Sequence, residues 1–426
     1  MIMYGLMQLV PLLNNVIMGN NRDIFSLKYS KDKLLFYFLI ICLSLIMFQS
    51  KRLYFTWSIP ISLLSILALI SCICYVSYYK HIYRYTGFVK IILVLQVVTL
   101  YVYEYLHVAG LSFWSFLCHI ITIVLAAFLI FSDDICKERI LRAIIVLTQF
   151  IVGISLLGWM LYLLNVPLPH YFSETDAFYS HEVYYLFVIN YVADNIFIPR
   201  FAGMFLEPGH LGTMCCFLLH IGEYRLKNFG NIVLLLGIIL SLSLAAYGLL
   251  FGGFCMYIFT RSKKGIIYVL LFLAFVAGVW GVSSVYNQGE NYLNNKIFLR
   301  LVFEDGEMAG SNRTTSIFDA YYERYLNSSE TLFGVGREAY ETKAATNIVN
   351  GCAGYKRFFY LRGWIGTFLL CAFLLCYFYV YRSINSFLFV VLFVVANLIR
   401  DYPLKEYWFF ILILALPVLK NKKYLQ

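Results

Sequence analysis

The stretch Arg200 to Gly212 reads RFAGMFLEPGHLG and sets an arginine, a carboxylate, an imidazole and a helix start in thirteen residues. Such a set would do acid–base work beside a bound anion. Pro208 suits the first helical turn, where its missing N–H would have gone unpaired anyway. The apolar residues Leu211, Met214, Phe217 and Leu218 carry the helix onward. Its open N–H groups and positive dipole end attract anions, and Arg200 adds a full charge just ahead of it. Glu207 and His210, three apart, lie side by side on the first turn. Glu207 stands equally as a helix cap and as a general base, with His210 the second candidate base.

A second set of cations follows. Ser311–Asn312 offer an N-cap to RTTSIFDAYYERYL, in which Arg313, Ile317, Ala320, Tyr321 and Arg324 share one face. Three turns separate the two arginines, about 16 Å along the axis. Leu332 to Glu338, LFGVGRE, is a glycine turn ending in Arg337. Lys296, Arg300, Lys356, Arg357 and Arg362 add to a basic outer surface. The plainer alternative is a solvated amphipathic helix carrying surface arginines. Glu104 and His107 stand near the outer end of an apolar run. A carboxylate there is costly and calls for a partner: an arginine, a tyrosine or His107 itself.

The elements that must position these groups are membrane spans. The 426 residues are 62% hydrophobic and 13% charged, against about 45–50% and about 25% in soluble domains. Net charge +10 reflects Lys and Arg at one membrane face and around anionic ligands, not nucleic acid. Most of the eleven cysteines sit inside apolar runs, which excludes a disulfide framework or a zinc-spaced CxxC pair. Apolar runs mark spans at Leu34–Phe48, Leu53–Val76, Ile91–Ala109, Ser112–Phe131, Ile140–Val166, Gly209–Ile221, Gly265–Ser284, Leu361–Tyr381, Phe387–Leu398 and Tyr407–Leu419. Asn231–Thr260 is too long for one crossing and is interrupted by SLSLAAYG, so it reads as a broken pair. Met1–Met18 reads as an interfacial segment, with an extra span as the alternative.

The expectation is an all-α polytopic membrane protein of about twelve helices in a single domain over 1–426. It carries two long outward loops, 167–208 and 285–360, the second with an amphipathic helix. Lys90, Lys137, Arg225, Arg261 and Lys420, with their basic neighbours, then fall on one cytoplasmic face, provided Asn231–Thr260 is a broken pair. Lys51 and Arg52 fall on the opposite side.

The order of motifs resembles a known family. Arg-x-x-Gly (Arg200–Gly203) and Glu-Pro-Gly-His close the first outer loop. A serine-rich break, Asn312-Arg313, a Phe-Gly-x-Gly turn and Gly363-x-x-Gly366 follow in turn. This resembles the bacterial O-antigen polymerases (Wzy type), within the O-antigen ligase and polymerase superfamily. The resemblance covers roughly Arg200 to Phe368 and the span layout. The ligases' late histidine is absent, since none of the seven histidines lies beyond His220, and Ser243-Leu244 stands where ligases have Ser-Arg. Both differences favour a polymerase.

The resemblance implies a GT-C-like, metal-independent glycosyltransferase of the bacterial inner membrane, without cofactor, working at the periplasmic face. It implies undecaprenyl-pyrophosphate-linked oligosaccharides as donor and acceptor, the bilayer as surroundings, and a polysaccharide chain-length regulator as a further partner. In place of a metal, guanidiniums and helix N-termini would stabilise the leaving pyrophosphate. Arg200 and Arg313 are expected to bind it, with Arg324 or Arg337 assisting. Gly203 of the first motif and Tyr321, a sugar-stacking candidate, complete the expected substrate-binding set, and Glu207 or His210 serves as base. Asp133–Asp134 read as a helix end. The competing readings are a ligase to lipid A core, a flippase for lipid-linked sugars, and a non-catalytic scaffold.

Overall fold

The computed structural model describes residues 37–41, 43, 61–78, 87–109, 111–175, 180–185, 187–191, 199–205, 207–261, 265–291, 294, 299, 303–304, 307–308, 316–337, 340 and 354–421. The expected interfacial segment Met1–Met18, more than half of Leu34–Phe48, and Lys51, Arg52 and Arg313 lie outside them.

The architecture is helical. In chain order the helices are α1 (Ile61–Tyr78), α2 (Phe88–Tyr103), α3 (Phe113–Phe131), α4 (Asp134–Leu163), α5 (Pro208–Ile221), α6 (Phe229–Leu240), α7 (Leu244–Arg261), α8 (Gly265–Val285), α9 (Ser316–Leu326), α10 (Gly354–Val380), α11 (Ile384–Ile399) and α12 (Glu406–Lys420). Six described helices are long and apolar enough to cross a membrane: Phe88–Val108, Phe113–Phe131, Asp134–Leu163, Leu244–Arg261, Val269–Gln288 and Gly354–Val380. The chain is a membrane protein.

Two helices form its centre. Every residue of α5 is buried, and so are Tyr407 to Leu419 of α12. Lipid tails are as apolar as leucine, so close packing holds such helices together. Phe217 of α5 packs edge-on against Trp408 of α12 and lies against Phe389 and Phe393 of α11. Asp133 caps α4 by accepting from the Cys136 N–H at 2.7 Å, which matches its reading as a helix end.

The bundle has two chemically distinct ends. At one, Lys90 donates to the carbonyls of Phe131 and Ser132, Lys137 to the Tyr381 hydroxyl, and Lys420 to the Val380 carbonyl. Arg225 and Arg261 share Glu223 there, and Arg261 reaches Asn385. The run Asn231–Thr260 breaks at Ser241–Ser243, where Leu242 takes a left-handed φ of 47°. Because α7 returns to Glu223 beside the start of α6, the chain goes out on α6 and back on α7. The break therefore lies at the opposite end, where the Phe201 N–H bonds the Leu240 carbonyl.

Both connections at that opposite end contain structure. The first holds three antiparallel strands, β1 (His170–Thr175), β2 (Ser180–Tyr184) and β3 (Val188–Tyr191), in the order β1-β2-β3. In the second, α9 lays Phe318, Tyr322 and Tyr325 against Tyr360 and Leu361 of α10, and Lys356 pairs with Asp319 at 2.5 Å. The face of α9 expected to bind ligand points outward: Ile317 and Arg324 are exposed.

The glycine turn after α9 docks on a kink in α10. Gly363 has φ +59° and Gly334 φ +84°, a region open to glycine at little cost. The turn makes a small ladder with the kink: Val335 N–H to the Tyr360 carbonyl at 2.9 Å and Ile365 N–H to the Leu332 carbonyl at 3.1 Å. A side chain at Gly334 would strike the Leu361 carbonyl. Gly334→Ala should therefore cost about 1–3 kcal/mol and lower the midpoint of thermal unfolding in detergent. Gly248→Ala, a helical position with open space around it, should not lower it. Equal midpoints for the two variants would contradict this account of the turn.

Candidate functional site

The site grows from one buried arginine. Beyond Tyr103, α2 widens into a π-turn, Glu104–Val108; such turns often mark functional positions. It presents Glu104 to Arg362 on α10. The guanidinium fork meets the carboxylate with both teeth, Nη2 to Oε1 at 2.6 Å and Nε to Oε2 at 2.7 Å. Its third nitrogen donates to Asp401, in the α11–α12 connection, at 3.3 and 3.5 Å. Arg362 is 7% exposed. It is a buried junction, which corrects its expected place on a basic outer surface. The Tyr103 hydroxyl reaches the carbonyls of Arg362 (2.7 Å) and Phe333 (2.5 Å), and a His107 ring nitrogen lies 3.0 Å from the Gly334 carbonyl. These contacts pin the glycine turn against the π-turn.

A hollow of about 220 Å³ opens over this junction. Arg337, Arg357, Arg362 and Lys405 contribute its cations, Glu104, Asp401 and Glu406 its carboxylates, and Tyr340 and Tyr402 its aromatic walls. Arg357 lies over the Tyr340 ring at 5.0 Å, and its Nε stands 3.8 Å from Asp401. That buried Nε donates no hydrogen bond among the described residues. Burial pushes the Asp401 carboxyl above the usual carboxylate range, against the downward pull of Arg362 and Arg357. Pro403 forms a wall shared with a second, apolar hollow of about 420 Å³. Phe358, Phe359, Trp364, Leu374 and Leu398 line this groove along α10 and α11.

The start of α5 meets the same loop from the other side. Glu207 takes the N-cap backbone position, but its side chain caps nothing and pairs with Arg400 at 2.7 Å. A side chain at Gly209 would collide with that guanidinium. His210, 5% exposed, places Nε2 3.1 Å from the Tyr402 hydroxyl and 3.8 Å from Glu207. Arg400, Asp401 and Tyr402 thus turn to three different partners: Glu207, Arg362 and His210.

Of the residues picked from the sequence, Arg337 lines the hollow. Glu207 and His210 come together one shell behind it. Arg200 donates its Nε to the Ser241 carbonyl at 3.0 Å, at the α6–α7 break. Gly203 has φ +56° and gives its carbonyl to the Val188 N–H of β3; its role is to bend the chain. Arg324 and Tyr321 face each other on the outer side of α9, with the guanidinium 5.9 Å from the ring, and do not line the hollow. Sequence reading passed over Asp401, Arg400 and Tyr402, and gave Arg357, whose side chain is 43% exposed, only a place on a basic surface. The available signal was RDYPLKEY, a dense polar cluster wedged between two apolar helices.

No protein-family model, curated protein or solved structure matches this chain.

Removing the central guanidinium strands two buried carboxylates. Arg362→Met should cost about 3–5 kcal/mol, read as a fall in the thermal midpoint. Adding Glu104→Gln should recover part of the loss, because one stranded charge is gone. A double variant no more stable than the single one would show that charge burial is not the cause.

Proposed function

We propose that the chain is a glycosyltransferase that polymerises undecaprenyl-pyrophosphate-linked oligosaccharides into a surface polysaccharide such as O-antigen. In this reading about twelve crossings place the hollow at the periplasmic face of the bacterial inner membrane. One observation carries it: a cation-bearing polar hollow and an apolar groove meet at Pro403. That pairing suits a ligand with an anionic head and a long hydrocarbon tail. Arg337 and Arg357 take the pyrophosphate and stabilise the charge that grows on the leaving oxygen. The motif order around Glu207, Gly334 and Gly363 supports the same class. In this assignment the phosphate contact passes from Arg200, held at the α6–α7 break, to Arg337 and Arg357.

The test uses purified protein and the lipid-linked oligosaccharide that accumulates in the producing cells when this chain is deleted. A ladder of longer glycans on lipid pyrophosphate is the expected product. Transfer only to added lipid A core would make the protein a ligase. No new glycosidic bond, or no accumulating oligosaccharide, would overturn the reading. Arg337→Ala and Arg357→Ala should each slow extension by about 10²–10³-fold.

A further inference from the structure

We propose that Asp401 is the general base of this transfer, and that Glu207 and His210 are positioning residues that hold its loop. The inference rests on the glycosyl-transfer reading above. Asp401 borders the hollow; Glu207 and His210 do not. Three carboxylates border it, and they differ in how firmly they are held. Glu104 is locked by two short bonds to Arg362. Asp401 is held at 3.3, 3.5 and 3.8 Å, longer than the 2.7–2.9 Å of a strong charge-assisted bond. Glu406 accepts from the Thr122 hydroxyl of α3 at 3.3 Å. Burial also makes Asp401 more basic than an ordinary aspartate, which suits proton abstraction near neutral pH.

Arg357 links the base to the donor. It faces Asp401 at 3.8 Å and lines the same hollow. A pyrophosphate that draws Arg357 toward itself removes a counter-charge from Asp401, so the carboxylate gains proton affinity once the donor is seated. The acceptor hydroxyl oxygen then attacks the anomeric carbon. Its proton passes to Asp401, the bond from that carbon to the phosphate oxygen breaks, and the electron pair leaves with the lipid pyrophosphate. The proton returns to solvent between turnovers. Glu207, through Arg400, and His210, through Tyr402, fix the residues on either side of Asp401.

The experiment compares Asp401→Ala, Glu406→Gln, Glu207→Gln and wild type on the same accumulated lipid-linked oligosaccharide, with and without sodium azide. Azide attacks the anomeric carbon without needing a proton removed. Asp401→Ala should extend glycans at least about 100-fold more slowly and bind the lipid-linked donor no more weakly than wild type. With azide it should release lipid pyrophosphate at close to the wild-type rate. Glu207→Gln should lose less than about tenfold, with no acceleration by azide. If wild type makes a ladder and Asp401→Ala does too at a similar rate, the base assignment fails while the glycosyl-transfer reading stands. Azide rescue of Glu207→Gln or Glu406→Gln, whether or not Asp401→Ala folds, would move the base to that residue and overturn the proposal. A wild type that makes no glycosidic bond defeats the underlying reading instead.

Discussion

A charge inside a membrane bundle must be answered by another charge, and the end of this molecule that carries the π-turn is arranged around that requirement. Arg362 is buried on a helix that, past Lys356 and Arg357 in its first turn, is built mostly of apolar and aromatic residues. Leaving its guanidinium unmatched would cost several kcal/mol. Glu104 and Asp401 match it from two other elements. To supply Glu104, α2 widens into a π-turn. To bring α10 close, the chain kinks at Gly363 and seats a glycine turn in the kink. To supply Asp401, the α11–α12 connection folds back over the bundle. The hollow is the space these three adjustments enclose.

The division of labour among the carboxylates follows from geometry. A two-toothed contact holds both oxygens of Glu104, which makes it a fixed part of the frame. Asp401 receives the remainder of one guanidinium and a distant second, and so keeps capacity for another partner. Arg357 is similarly uncommitted, with one donor unused and its flat face laid on a tyrosine ring. A frame of tightly paired charges that leaves Asp401 and Arg357 loosely held suits a site where charge must move during the reaction.

Much of this was legible in the sequence, and the omissions have physical causes. Composition gave the membrane environment. The apolar run Asn231–Thr260 reads as a broken pair, and it breaks at its serines. Glu104 was expected to seek a basic or aromatic partner and found Arg362. Periodicity placed α9, but aromatic weight decided which side is buried: Phe318, Tyr322 and Tyr325 outcompete the side bearing Ile317, Tyr321 and Arg324. Local pattern also could not show that Glu207 spends its charge on Arg400, almost two hundred positions away. Contacts of that range depend on how helices stack, and no window of sequence carries them.

The tripeptide Arg400-Asp401-Tyr402 illustrates what such stacking demands. Connections between helices ordinarily tolerate insertions and deletions. Here three successive side chains fan out to α5, α10 and α5 again, while Gly354 packs against the Arg400 backbone. Adding or dropping one residue would shift the phase of all three at once, turning a cation toward Arg362 or an acid toward Glu207. This short connection is frozen in length, like the shank of a key.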